Sequence, residues 1–192
     1  MSGSVLTRFV TSNDAKFREV SKMLRERGIQ VDRVRTSYPE VQGDTLREVV
    51  VSALEWLSPR LGDDLLVDDS GLFIRPLLGF PGVYSSYVYR TIGCGGVLRL
   101  LQGMRDREAT FEACFGLLTG GRSVVFKGHC PGAIVEEERG LGGFGFDPIF
   151  VPRGHTRTFA EMSLTEKNAI SHRGRVAEEL VGYLENVGRE RR

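Results

Sequence analysis

The sequence predicts an α/β fold whose sheet is extended by an antiparallel hairpin, and three observations carry that prediction. Val5–Val10 is a β-branched, apolar run that breaks into a helical pattern and is followed by a second run at Ile29, Val31 and Val34, so strand and helix alternate from the start. Leu65-Leu66-Val67 is short and wholly apolar, as expected of a central strand buried on both faces. Thr110–Leu118 and Ser123–Cys130 are rich in β-formers and flank Thr119-Gly120-Gly121, a hairpin turn.

Composition limits what such a fold does. With 192 residues the chain reads as one domain, residues 1–192, or as two lobes sharing a sheet. Lys plus Arg number 26 against 25 Asp plus Glu, so there is no general field for nucleic acid, and an anionic ligand must be held locally. The scattered Cys94, Cys114 and Cys130 lack metal-ligand spacing and read as reduced thiols in a core, in an intracellular compartment. The N-terminus shows no secretory pattern and no apolar run reaches membrane-spanning length, which gives a cytoplasmic reading with no membrane partner.

The remaining elements follow in order. After the first strand, Phe17, Val20 and Leu24 fall on one helical face that Gly28 ends. Thr45 and Glu48 form a capping box for a helix whose face is Leu46, Val49, Val50, Ala53, Leu54 and Leu57, with Ser58-Pro59 predicted to stop it. Leu72–Ile74 resume as strand, Gly79–Gly82 turn, and Tyr84, Tyr87 and Tyr89 present either a ligand-facing or a half-buried surface. A short helix is predicted from Val97 to Leu101, and Ala133–Val135 as a further strand. Ser163 and Glu166 cap a helix carrying Lys167, and Ser171 caps a last helix whose apolar face is Val176, Ala177, Leu180, Val181 and Leu184.

Four stretches point to chemistry. Thr11-Ser12-Asn13-Asp14-Ala15-Lys16 is a strand-to-helix turn, where backbone N–H groups and the helix dipole converge with a hydroxyl, an amide and an ammonium; phosphate binding and ordinary helix capping use the same residue types. Asp68-Asp69-Ser70-Gly71 is predicted at the tip of the buried strand, where open sheets bind ligands. Adjacent carboxylates there need a compensating cation, for which Mg2+ suits an all-oxygen donor set, while a plain Asp-Asp-Ser-Gly turn explains the same residues. Glu40, in the loop before the Thr45 helix, is a candidate second metal ligand. Phe144-Gly145-Phe146-Asp147, in a glycine-rich loop, offers aromatic faces to a flat ligand, and His172 with Arg173 at a helix entrance is either plain surface or a donor fork for a carbonyl or phosphate.

Taken together in this order, Thr11–Lys16, Val67–Leu72, Gly143–Pro148 and Glu166–Asn168 with Ser171–Arg173 make the chain resemble the inosine triphosphate pyrophosphatase (HAM1-like) family over nearly its whole length. The resemblance implies a homodimeric enzyme with a long mixed sheet and flanking helices forming two lobes around a central substrate cleft. It implies cleavage of ITP, dITP and XTP to the monophosphate and pyrophosphate, with Mg2+. Asp69 is then the proton acceptor and a metal ligand with Glu40, and Thr11, Ser12, Asn13, Asp14, Ala15, Lys16, Ser70, Phe144, Gly145, Phe146, Asp147, Lys167, His172 and Arg173 bind substrate. Lys16 and Lys167 neutralise phosphate charge, and Arg173 donates to the carbonyl at purine position six. The sequence departs from the family pattern at Ser12, where glycine is common, and at Ala53, where many members carry lysine. Two other readings compete: a non-catalytic purine-nucleotide-binding module, and a haloacid-dehalogenase-type phosphatase. The second needs an aspartate two positions after its nucleophile, where this chain has Ser70 or Gly71.

Overall fold

The computed structural model describes residues 6–39, 41 and 43–190 and shows, among these, a mixed sheet of seven strands with six α-helices. Val5, expected in the first strand, lies outside the described residues. β1 (Leu6–Val10) leads into α1 (Asp14–Glu26) and returns as β2 (Gln30–Val34), parallel to β1 with Thr7 beside Val31 and Phe9 beside Arg33. The amphipathic spacing read from the sequence holds, because Val20 and Leu24 are fully buried.

α2 (Leu46–Leu61) is capped by Thr45, whose hydroxyl accepts from the Glu48 N–H at 3.2 Å. Glu48 reaches back to the Asp44 N–H rather than to that of Thr45. The predicted stop at Ser58-Pro59 is one turn early, since the helix runs to Leu61. Pro59 removes only its own N–H, and Glu55, four residues before it, is exposed, so water can take the freed carbonyl.

β3 (Leu65–Ile74) is parallel to β1 through Leu65 and Leu66 and antiparallel to β4 (Pro81–Gly82) through Leu72 and Phe73. A Cβ on Gly71 would lie 2.2 Å from the Gly82 carbonyl oxygen, so only glycine permits the two backbones to meet there. The tyrosine segment forms α3 (Ser85–Thr91), with Tyr84, Tyr87 and Tyr89 exposed. α4 (Gly93–Leu100) begins four residues before the predicted start, because burial of Cys94 and Val97 outweighs the poor helix propensity of its glycines.

β5 (Glu108–Thr119) and β6 (Arg122–Ile134) are the predicted hairpin, and β6 is longer than expected. Ala133 and Ile134 belong to it and form no separate strand, because residues 132–134 pair with β7 (Phe150–Pro152), a strand too short to announce itself in the sequence. α5 (Leu164–Ile170) and α6 (His172–Glu190) complete the chain, with Ser163 capping α5 through the predicted capping box. Strand order is β2-β1-β3-β5-β6-β7, with β4 on β3.

The chain divides into two compact units. The first comprises the residues up to Asp69, 113–128 and those from Arg173 onward; the second comprises 70–112 and 129–172. Each has its own core. Phe9, Leu24, Leu66, Phe115 and Leu180 are among the buried residues of the first, and Leu72, Val97, Phe111, Phe150 and Phe159 of the second. Cys94, Cys114 and Cys130 are buried free thiols, as the sequence implied. Burial pushes the Cys94 thiol up to about 12, which leaves it protonated and inert. No helix among the described residues is long and apolar enough to cross a membrane.

Candidate active site

The Asp68-Asp69-Ser70-Gly71 stretch is neither a strand tip nor a turn. It lies within the ten-residue β3, where that strand changes partner from β1 to β4, because Leu72–Ile74 re-enter the core and keep the backbone extended through the acids. Successive residues of a strand face opposite ways, and the two acids differ accordingly. The Asp68 side chain is 1% exposed and that of Asp69 24% exposed.

In the first unit, α1 aims Lys16 at both acids. Its Nζ lies 3.2 Å from Asp68 Oδ2 and 3.7 Å from Asp69 Oδ1, and it donates to the Asp68 backbone carbonyl at 3.4 Å. Arg173, second residue of α6, is buried; its Nε lies 3.5 Å from Asp68 Oδ2 and its Nη1 donates to Glu19 Oε2 at 3.1 Å. Lys16, Asp68, Arg173 and Glu19 thus form one ionic network.

The Thr11–Lys16 turn is built as the sequence suggested, with its capping residue identified. Asn13 Oδ1 accepts from the N–H groups of Ala15 and Lys16, and Thr11 Oγ1 accepts from the Asn13 N–H. These side-chain acceptors take three donors that the phosphate reading had counted as open. Ser12 is exposed, and the Asp14 carboxylate is held by Arg33 and by Arg35 at 2.8 Å. The Arg33 hydrogen bond, followed by the Arg35 charge, holds the Asp14 carboxyl below its ordinary value.

The second unit holds the glycine loop, Ser70 and His172. Asp147, buried, accepts from Lys167 Nζ at 2.6 Å and from the Phe144 N–H at 2.8 Å. A Cβ on Gly143, which has φ +69°, would lie 2.1 Å from Asp147 Oδ2, so the pair requires glycine there. Lys167 Nζ also lies 4.8 Å from the centre of the Phe144 ring. This geometry differs from the phosphate contact expected of Lys167, because its side chain is 2% exposed and its charge is compensated by Asp147. Phe144 is half-buried, whereas Phe146 is a core residue packed edge-on against Tyr89; Gly145 accepts from the Cys94 thiol. Ser70 is half-buried on β3. His172 lies flat on Phe111, with ring centres 4.7 Å apart. His172 and Arg173 are consecutive residues of α6, where neighbouring side chains leave the helix about 100° apart.

Glu40 lies outside the described residues. Among those described, no group of three or more His, Cys, Asp or Glu side chains is arranged to hold a metal ion.

A family model described as the Ham1 family matches residues 7–183. This chain belongs to the Ham1 family. Its similarity to the dITP/XTP pyrophosphatase of Thermococcus kodakarensis is 50% identity over 176 residues, covering 92% of this chain and 95% of that protein. The protein of the same name from Pyrococcus horikoshii is 47% identical, over 92% of this chain and 95% of its own length. A solved HAM1 protein structure from Coxiella burnetii superposes with a TM-score of 0.84 at 32% identity, covering 95% of this chain and 99% of that one. The family named by the sequence resemblance and the mixed α/β fold are thus both established.

Sequence reasoning about this Ham1 chain missed Glu19 and left Asp68 without a role. The signal for Glu19 was present, since it lies three residues after Lys16 and so shares a helical face with it. Nothing in the sequence announced Phe111 beneath His172.

Proposed function

We propose that this Ham1 protein hydrolyses non-canonical purine nucleoside triphosphates, with dITP, ITP and XTP as substrates, to the monophosphate and pyrophosphate. The names of its relatives support the substrate class. The observation that carries the reaction is Asp69, a partly exposed carboxylate beside the Lys16 ammonium. In this reading Asp69 takes a proton from water, whose oxygen bonds to the α-phosphorus. The α–β anhydride bond breaks and pyrophosphate leaves with the bonding electrons, so triphosphate plus water gives monophosphate, pyrophosphate and a proton.

Lys16 and the Thr11–Lys16 turn, with Ser12 and Asp14, are assigned to the triphosphate, as is Ser70. Phe144, Gly145, Phe146, Asp147, Lys167 and His172 are assigned to the purine. Phe144, half-buried, offers a ring face, Asp147 and Lys167 hold that residue through its N–H and its ring, and Phe146 acts from the core. Arg173 is the donor assigned to the six-position carbonyl, an acceptor where adenine carries an amino group. Asp69 and Glu40 would hold Mg2+, to which a partly exposed carboxylate is a fitting oxygen ligand; when bound, the ion supplies positive charge to the triphosphate.

The continuous family match over residues 7–183 supports a single Ham1 domain, and the buried free cysteines fit work on a cytoplasmic nucleotide pool. Exposed Leu78, Phe80, Tyr84 and Tyr87 of the second unit favour a homodimer, which light scattering on the eluted protein would show as twice the chain mass. The decisive assay is a panel of dITP, XTP, ITP, dATP and dGTP with magnesium, in which pyrophosphate and inorganic phosphate are followed separately. Pyrophosphate from the first three is expected. Release of inorganic phosphate alone, or tight binding without turnover, overturns the reading.

A further inference from the structure

Asp68 is the buried partner of the proposed base Asp69, and its surroundings give it separate work. One oxygen, Oδ2, faces Lys16 at 3.2 Å and Arg173 at 3.5 Å. These two cations come from different helices, Lys16 from the first turn of α1 and Arg173 from the start of α6. A carboxylate that is 1% exposed cannot rely on water, so its charge must be balanced by the cations beside it, and their long side chains are in turn tied to a fixed point on the strand. Lys16 is doubly tied, because it also donates to the Asp68 backbone carbonyl.

We propose that Asp68 is a positioning residue that sets the Lys16 ammonium and the Arg173 guanidinium relative to β3, and so couples triphosphate binding to base selection. This rests on the roles given above to Lys16 and Arg173. Deleting the charge loosens both cations, so both properties should change together. A contact serving stability alone would move neither.

The test is Asp68→Asn, which keeps the shape and removes the charge, read by steady-state kinetics on dITP and dATP. In this variant KM for dITP should rise about tenfold with kcat within about threefold of wild type, and the dITP over dATP ratio of kcat/KM should fall by about threefold or more. Asp68→Glu, which keeps the charge but displaces it by one methylene, should also narrow the ratio. Unchanged KM and ratio in either folded variant overturn the proposal. Failure of both variants to fold, read by circular dichroism, overturns it too, since Asp68 then serves stability. Wild-type protein that releases no pyrophosphate from dITP fails the functional reading instead, so the two failures are distinguishable.

Discussion

Two lysine–carboxylate contacts, one in each unit, look alike in sequence and differ in kind. Lys16 of the first unit is 16% exposed and shares its charge between Asp68 and Asp69 at 3.2 and 3.7 Å. Lys167 of the second is 2% exposed, bound to Asp147 at 2.6 Å, and lies against the Phe144 and Phe159 rings. A shared, longer, partly wet contact can exchange a carboxylate for an incoming phosphate at little cost. A short buried pair cannot, because removing either partner strands a charge out of water. The first is suited to a ligand and the second to holding the glycine loop.

The largest effect expected from this contrast is at Asp69, the exposed end of the looser network. Asp69→Asn should lower kcat by about two orders of magnitude or more, since the amide is no base, with an unchanged melting curve. Near wild-type turnover would remove the first unit from the chemistry.

Next comes stability, where the two lysines should separate. Lys167→Met is expected to cost about 3–5 kcal/mol in urea unfolding by stranding Asp147, and Lys16→Met about 1 kcal/mol, because Arg173 still faces Asp68. Equal losses would erase the distinction. In the same pair of variants, Lys16→Met should raise KM for dITP about tenfold, the weight of one charge-assisted contact. A KM that stays put would show that phosphate charge is met elsewhere.

The smallest effect concerns acid. Glu166, at the start of α5, is brought from its ordinary 4.5 to about 2, first by the Arg157 hydrogen bond and then by the Ser163 N–H. Its folded-state value lies below the unfolded one, so its contribution is full above pH 4.5 and is lost as pH falls toward 2. Glu166→Gln should flatten the fall of stability with pH in that window by losing the contribution already at neutral pH, so that variant and wild type differ at neutral pH and converge as pH falls toward 2. An equally steep fall would show that Glu166 does not anchor the second unit.

Much of the site was legible as composition. The Thr11–Lys16 turn, the Asp68-Asp69 pair, the glycine loop and the His172-Arg173 step all stand out because polar or glycine residues interrupt apolar periodicity. The partners of those residues were not legible. Arg173 meets Glu19, 154 positions away, and Lys167 meets Asp147 across a loop, with no local pattern to announce either pairing.

The sequence by itself determined the alternation of strand and helix, the buried face of α1, the caps at Thr45 and Ser163 and the β5–β6 hairpin. These depend on neighbours within about four residues, through side-chain periodicity and local hydrogen bonds. Only the tertiary structure decided that Asp68 and Asp69 lie within a strand, that α2 continues past Pro59, that β7 extends the sheet and that Lys167 is a buried lock. Each of those outcomes depends on which distant group supplies a hydrogen bond, a charge or an apolar surface. Chain order alone does not set distances between residues so far apart.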